Sequence, residues 1–144
     1  MNNINSSLQM LSFFFTKMSV ELNNPLTESP NLKNTVSINH ARKKDDNYQV
    51  KVQIDYTLES EDSSFKLYLQ ALGFFKLEKS EDMPETIAND ILNKNTIAIM
   101  FPFIRSQVSL MTTQPGMSPI LVQPIDVNKL FEGKTSENSD DTSN

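Results

Sequence analysis

The sequence predicts an α+β domain: a four-stranded antiparallel sheet packed by one long, interrupted helix and a short C-terminal helix. Two observations carry this prediction. In the first half of the chain, apolar residues recur at every second position, whereas after residue 80 they recur at spacings of three and four. A run of strands followed by a run of helices is typical of the α+β class.

The clearest strand is "YQVKVQIDYTL", in which apolar or aromatic residues from Tyr48 to Leu58 alternate with polar ones without a miss. Such a strand has one dry face and one wet face, and a wet face favours an antiparallel sheet. The preceding segment "TVSINHAR" predicts a shorter strand, joined to it through the charged turn "KKDDN".

Two further strands complete the predicted sheet. Met18, Val20 and Leu22 alternate with polar residues in the first strand, although "SFFF" breaks the phase upstream. The connection "NNPLTESPNLKN" is too long for a hairpin, so we expect a crossover that lets the first strand pair elsewhere in the sheet. "SSFKLYLQALGFFKL" is the fourth strand, and its Gly73 indicates a bulge or a close approach of another group.

The segment "EDMPETIANDILNKN" predicts the start of the helix, with Asp82 as a possible cap, Pro84 in the first turn and a break at "NKN". Pro102 must then lie near the first turn of the next helical segment, or it kinks the helix. The main stripe of that segment has helical spacing and comprises Ile97, Met100 or Phe101, Ile104, Val108 and Met111.

Three more apolar residues, Ile99, Phe103 and Leu110, fall off this stripe. The helix is therefore apolar over most of its circumference, which is typical of a helix buried on more than one side. Because a four-stranded sheet can cover only one side, we expect the protein to form an oligomer.

After the helix, "TTQPGM" is a turn, and "SPILVQPIDVNKLF" predicts an extended segment followed by a helical turn that begins at Asp126. Residues 1–132 therefore form one domain. The polar residues 133–144 are expected to be a disordered acidic tail.

The composition excludes most sites of chemistry. The chain has no cysteine, three glycines and one histidine, His40, which lies beside a basic turn and is best interpreted as a surface residue. We expect no catalytic residue, metal or cofactor, so the protein is not expected to be an enzyme. A net charge of −5 argues against nucleic acid as a partner.

No segment predicts insertion into a membrane. The longest apolar run, from Ile97 to Ile104, has eight residues, and a membrane-spanning helix needs about twenty. The N-terminal residues lack the basic region of a secretory signal. We therefore expect a cytoplasmic protein.

One ordered set of residues resembles the SecB family of protein-export chaperones. In "MFPFIRSQVSLMTTQPGMSPILVQPIDVNKLF", an aromatic–proline–aromatic motif, a following arginine, two later prolines and a final Leu-Phe match the family's pattern: Phe101, Pro102, Phe103, Arg105, Pro119, Pro124, Leu130 and Phe131. Upstream, Phe15, Thr16 and Lys17 are similar to part of the family's first strand, and Gly73 to a glycine late in its fourth.

The resemblance implies a homotetramer, a dimer of dimers with the helices between the sheets of its subunits. It also implies a function, which is to hold unfolded preproteins in apolar grooves without ATP and to assist their export through SecA. The residues expected to contact such clients are Val36, Ile38, Phe101, Ile104, Val108, Met111, Ile120, Val122 and Phe131. Glu21 matches one acidic position through which the family binds SecA, whereas Met18 and Tyr68 stand where acidic residues are expected.

Two other functions remain open. Some SecB-like proteins protect the antitoxin of a toxin–antitoxin system, and the same apolar residues would serve that function. A small-molecule-binding α+β domain would need a pocket with convergent polar groups, and the sequence does not indicate them.

Overall fold

The computed structural model describes residues 7–24 and 31–130. Its first half is a sheet of four strands, β1 (Leu8–Leu22), β2 (Leu32–Lys43), β3 (Asp46–Ser60) and β4 (Phe65–Leu77). The strands lie in the order β1-β4-β3-β2, and all neighbours are antiparallel. The predicted sheet is confirmed, as is the prediction that the first strand pairs away from the second. Phe131 and the predicted tail, 133–144, lie outside the described residues.

β1 is less regular than the other strands because it contains two bulges. Its pairing with β4 shifts by one residue between Met10 and Ser12 and again between Phe15 and Lys17. Each bulge leaves one extra residue, Leu11 and Thr16, and changes the face to which the following side chains point. The bulges explain why the phase of the apolar residues breaks at "SFFF".

The helical half is one rod with a wide turn in the middle. It consists of α1 (Glu85–Asp90), a π-helical turn (Ile91–Asn95) and α2 (Thr96–Met111). The interruption predicted at "NKN" is therefore a π-helical turn within continuous helix. Pro84 precedes α1 with extended backbone and no side chain caps the helix, so the predicted cap, Asp82, is not used. Pro102 lies inside α2, where it removes one helical hydrogen bond.

The core lies between α2 and one face of the sheet, which we call the inner face. On β3 and β4, this face is a row of fully buried apolar side chains. α2 contributes the stripe predicted from its spacing, and its apolar side chains buried to 2% exposure or less are Ile97, Met100, Phe101, Ile104 and Val108. At about 25 cal/mol per Å² of apolar surface, this contact is the main source of the domain's stability.

The chain after α2 turns back along the helix. Gly116 adopts a φ of 84°, which suits glycine in the turn "TTQPGM". An extended segment follows, and residues 127–130 form a helical turn. The Asp126 carboxylate accepts hydrogen bonds from the backbone N–H groups of Asn128 and Lys129, at 3.0 and 3.4 Å. Asp126 thus begins this turn, as predicted.

Candidate functional site

α2 covers only the middle of the inner face. The central strands β3 and β4 are buried beneath it, whereas the apolar side chains on the same face of β1 and β2 are at most half-buried. Apolar surface therefore remains on both sides of the helix. We call the two sides the β1 flank and the β2 flank.

The β1 flank is the more exposed of the two. Phe103 of α2 is 46% exposed, and its ring centroid lies 5.0 Å from that of Phe13. One helical turn after Phe103 on the same flank, Gln107 Nε2 contacts Met18 Sδ at 3.3 Å. The flank continues into the outer stripe of α2, which consists of Ile99, Phe103 and Leu110, with exposures of 36%, 46% and 67%. In one chain this apolar stripe faces water.

The β2 flank is formed by Val36 and Ile38, which are half-buried on the inner face of an edge strand. Val36 lies opposite the buried Tyr56 of β3. The Tyr56 ring contacts that of Phe101 edge-on, with centroids 6.0 Å apart. Tyr56 and Phe101 therefore form the floor beside these two aliphatic side chains.

The structure divides the nine residues predicted to contact clients into three groups. Val36, Ile38, Met111 and Ile120 are half-buried and can be reached from solvent. Four others are buried against the sheet or the helix within the chain: Phe101, Ile104, Val108 and Val122. Phe131 lies outside the described residues. The spacing of apolar residues identified the stripe that faces the sheet, whereas the side chains left in water lie on its flanks.

Two hydrogen bonds hold the extended segment after the turn against α2. Arg105 Nε donates to the Val122 carbonyl at 3.0 Å. The backbone N–H of Ile120 donates to Thr112 Oγ1 at 2.8 Å, and this hydroxyl donates to the Val108 carbonyl at 2.9 Å. From the sequence, Arg105 could be placed in a motif but not given a role. Its role in the structure is to position the segment that carries Ile120 and Val122.

A shallow groove of about 470 Å³ runs between α2 and this segment. Pro102, Arg105 and Ser109 line one side, and Leu121 and Pro124 line the other. Leu121 is 77% exposed. The groove is open rather than enclosed, so it resembles a surface for a polypeptide more than a pocket for a small molecule.

The end of β2 is fixed to the π-helical turn. His40 Nε2 donates to the Asn93 carbonyl at 3.0 Å, and Arg42 donates to the Asn93 side-chain oxygen at 3.1 Å. Burial lowers the pKa of His40, the carbonyl bond partly opposes this, and the nearby Arg42 lowers the pKa further. The prediction that His40 is a surface residue is wrong, because this side chain is half-buried and joins the sheet to the helix.

The other face of the sheet, which we call the open face, has no helix on it in the described part of the chain. Glu21, predicted to bind SecA, lies there and is exposed. It stands in a row of alternating charge that crosses all four strands: Glu21, Lys66, Glu59 and Lys33. The neighbouring Lys66 reduces the negative field that Glu21 can offer to a basic partner.

The Asp55 carboxylate is the other acidic group near the centre of the open face. Tyr68, Gln70 and Gln53 donate hydrogen bonds to it at 2.7, 2.9 and 3.0 Å. Burial alone would raise the pKa of Asp55, but these bonds and the charge of Lys17 together lower it. The carboxylate is thus ionised and largely occupied by its neighbours.

Neither a metal site nor a membrane span is found in the described residues. No three His, Asp or Glu side chains in 7–24 or 31–130 are grouped so that they could hold a metal ion. None of the helices described there is long and apolar enough to cross a membrane.

Comparison with known proteins gives a consistent result. A family model described as preprotein translocase subunit SecB matches residues 2–138. The protein-export protein SecB of Anaplasma phagocytophilum is 28% identical over 94 residues, which are 65% of this chain and 60% of that protein. The corresponding protein of Rickettsia akari is 29% identical over 114 residues, covering 78% and 73% of the two chains.

One solved structure has a similar fold. It is a SecB-like chaperone from Mycobacterium tuberculosis in complex with a ChAD peptide from the HigA1 antitoxin. It aligns with a TM-score of 0.62 at 15% identity, and the alignment covers 84% of this chain and 93% of that one.

Proposed function

Because the chain belongs to the SecB family of protein-export chaperones, we propose that it holds non-native polypeptides on the flanks of α2, without ATP, and keeps them competent for export. The observation that carries this proposal is the incomplete cover of the inner face. The core beneath α2 is fully buried, yet apolar side chains on both flanks remain in contact with water.

The physical basis of this binding is the hydrophobic effect, which does not depend on direction. An unfolded chain exposes apolar side chains, and burying one fully gains about 1.5–3 kcal/mol. Aliphatic and thioether side chains such as Val36, Ile38 and Met111 do not require a particular sequence in the client. A few such contacts would give reversible binding to many clients, which is what a protein that must later release them needs.

We assign different tasks to the two flanks. The β1 flank and the outer stripe of α2 suit contact with other copies of the chain, because their apolar surface is large and lies beside the free edge of β1. The resulting assembly would be the homotetramer that the family resemblance implies. The β2 flank remains for clients, with Val36 and Ile38 in contact and the buried Phe101 as its floor. Met111 at the end of α2 and Ile120 in the segment after it are half-buried and would extend this contact.

Binding to SecA through Glu21 stays a prediction. Lys66 opposite Glu21 works against it, because a basic partner would meet a lysine beside the one carboxylate. Delivery to the export machinery can be tested separately from holding, since the two would use opposite faces of the sheet.

The test uses an unfolded model protein that aggregates on dilution from denaturant. The purified chain, with no nucleotide present, should reduce the light scattering of this client. The double variant Val36→Ser/Ile38→Ser should lose most of this effect. The matched control, Thr35→Ser/Asn39→Ser, alters the same strand on its open face and should behave like the wild type.

Circular dichroism would show that both double variants fold. No reduction of scattering by the wild type, at a several-fold molar excess over the client, would refute the proposal. Equal activity of the two double variants would refute the assignment of the β2 flank.

A second candidate is a dedicated chaperone for an antitoxin. It is favoured by the similar fold of the M. tuberculosis protein, which was solved with an antitoxin peptide. Purification of the tagged chain from its own cells distinguishes the two functions. One small protein recovered in stoichiometric amount would indicate the dedicated chaperone, whereas many precursors would indicate export.

A further inference from the structure

The open face of the sheet carries a charge opposite to that of the whole chain. Six of the eleven lysines in the sequence lie on it, against four carboxylates, so the face has a charge of 6 − 4 = +2 in a chain of −5. The lysines are Lys17, Lys33, Lys43, Lys51, Lys66 and Lys76, and the carboxylates are Glu21, Asp46, Asp55 and Glu59.

Three of the four carboxylates lie toward one end of the face, in the two rows that contain Asp55 and Glu59. The fourth, Asp46, lies opposite Lys43 at the other end of the face, where its carboxylate accepts a hydrogen bond from the Gln49 side chain at 3.0 Å and interacts with the charges of Lys76 and Lys43. Glu78, just beyond β4, forms an ion pair with Lys76 at 3.6 Å. Lys51, by contrast, is exposed and has no ion-pair partner among the described residues.

Apolar side chains lie between these lysines, where a solvent-facing sheet would normally be polar. Leu11 is 50% exposed and Phe14 is 46% exposed. The Phe14 ring stacks on that of Phe74, with centroids 6.2 Å apart. We call Leu11, Phe14 and Phe74, with Lys43 and Lys51, the lysine–aromatic patch.

The first bulge of β1 helps to build this patch. Leu11 is the extra residue between Met10 and Ser12, and it lines a depression of about 420 Å³ together with Ala41, Lys43, Lys51 and Phe74. Bulges at sheet edges commonly re-aim one side chain. Here the re-aimed side chain is apolar and stands in a basic surrounding.

We propose that the lysine–aromatic patch binds a linear peptide segment in which acidic residues flank one large apolar or aromatic side chain. The apolar side chain would enter the depression beside Leu11 and Phe74, and the flanking carboxylates would pair with Lys43 and Lys51. The charge complementarity is local, since at physiological salt the field extends only about 8 Å.

A short peptide fits these observations better than a polyanion. The depression holds one or two side chains, and its wall is apolar. A membrane surface or a nucleic acid would meet the net charge of −5 of the whole chain, which repels extended negative surfaces. An acidic segment a few residues long meets only the patch.

The test measures fluorescence anisotropy with three labelled twelve-residue peptides. The first has a central Phe flanked by Glu and Asp, the second has Ala in place of Phe, and the third has Lys in place of the acidic residues. The first peptide should bind most tightly, and its affinity should fall with rising salt. Lys51→Glu should weaken it at least tenfold, and Leu11→Ser several-fold.

Lys129→Glu is the matched control, because it makes the same charge change at an exposed site outside the sheet. It should leave the affinity within about twofold of the wild type. The proposal would be overturned by preference for the basic peptide, by unchanged binding in Lys51→Glu, or by equally tight binding of duplex DNA or anionic vesicles through the same lysine.

Two further measurements test whether the chain's own tail or a second copy of the chain occupies the lysine–aromatic patch. If neutralising the tail acids (Glu137→Gln/Asp140→Asn/Asp141→Asn) tightens peptide binding tenfold, the chain's own tail occupies the patch and the proposal fails. If Lys51→Glu changes the native mass, the patch is a contact between copies and the proposal also fails. Lys51→Glu should hold unfolded clients as the wild type does, so this test is independent of the proposed holding function.

Discussion

Gly73 lies against Met100, so that a Cβ placed on the glycine would stand 2.8 Å from Met100 Sδ and 2.8 Å from the Phe75 ring. β4 remains in register with β3 across this position, because Leu72, Gly73 and Phe74 pair with consecutive residues of that strand. Of the two predictions made for Gly73, a bulge or a close approach, the structure therefore supports the close approach. The missing side chain is what lets α2 lie on the centre of the sheet.

Gly73→Ala should destabilise the domain by about 1–3 kcal/mol, the usual cost of overpacking a core. Urea unfolding followed by circular dichroism measures this cost. In a Met100→Ala background the same substitution should cost less, because the sulfur that it meets is absent. Additive effects of the two substitutions would show that the Met100 contact is not the cause.

Phe101 and Phe103 should respond differently to truncation, although they are separated by a single proline. Phe101 is 2% exposed, so Phe101→Ala should cost about 3–5 kcal/mol. Phe103→Ser should instead lower the native mass measured by light scattering, because Phe103 lies on the surface assigned to other copies. An unchanged mass for Phe103→Ser would remove that assignment.

The pH dependence of stability should depend on His40. Its pKa in the folded chain is below the ordinary value of 6.5, mainly because of burial. The unfolded chain therefore binds more protons than the folded chain, and stability must fall as the pH drops through and below 6.5.

His40→Gln keeps a donor for the Asn93 carbonyl but does not titrate. Between pH 7.5 and pH 5.5 the wild type should lose more stability than this variant, as measured by the urea midpoint. The carboxylates titrate in both proteins and cancel in the comparison. An equal loss in the two would mean that His40 does not contribute.

Arg105→Ala should release the extended segment from α2. Loss of a hydrogen bond from a charged donor costs about 1–3 kcal/mol, less where water can replace it. Hydrogen exchange is the sensitive measurement, and the amide of Ile120 should exchange faster than in the wild type. Ser106→Ala, which changes an exposed neighbour on α2, is the control and should leave that amide protected.

Most of the fold could be predicted because the alternation of apolar and polar residues in β3 matches the two faces of the strand. From Val50 to Leu58, every residue on the inner face is buried and every residue between them is more exposed. β1 could not be predicted as well, since Leu11, Phe13 and Phe14 are all apolar and only the bulge decides which face each one joins. The π-helical turn was predicted as a break because its polar residues resemble those of a linker.

The candidate site was harder to predict for a related reason. α2 is apolar on its inner and outer sides, so helical spacing finds a stripe but cannot tell which stripe the sheet will cover. Ile104 and Val108 belong to the covered stripe, whereas Phe103 and Leu110 belong to the uncovered one. The positioning contacts of Arg105 and Thr112 depend on where the chain turns back, which the local sequence does not state.

The pairing of β1 with β4 has a consequence for synthesis on the ribosome. Thr16 bonds to Gln70, 54 residues further along the chain, so the first strand to emerge has no partner until the last strand has been made. β2, β3 and β4 can meanwhile form a meander through short turns. At a synthesis rate of about 5–20 residues per second, a newly made chain would thus carry a long, apolar, unpaired strand for several seconds. It would itself be a client of the kind that we expect the finished protein to protect.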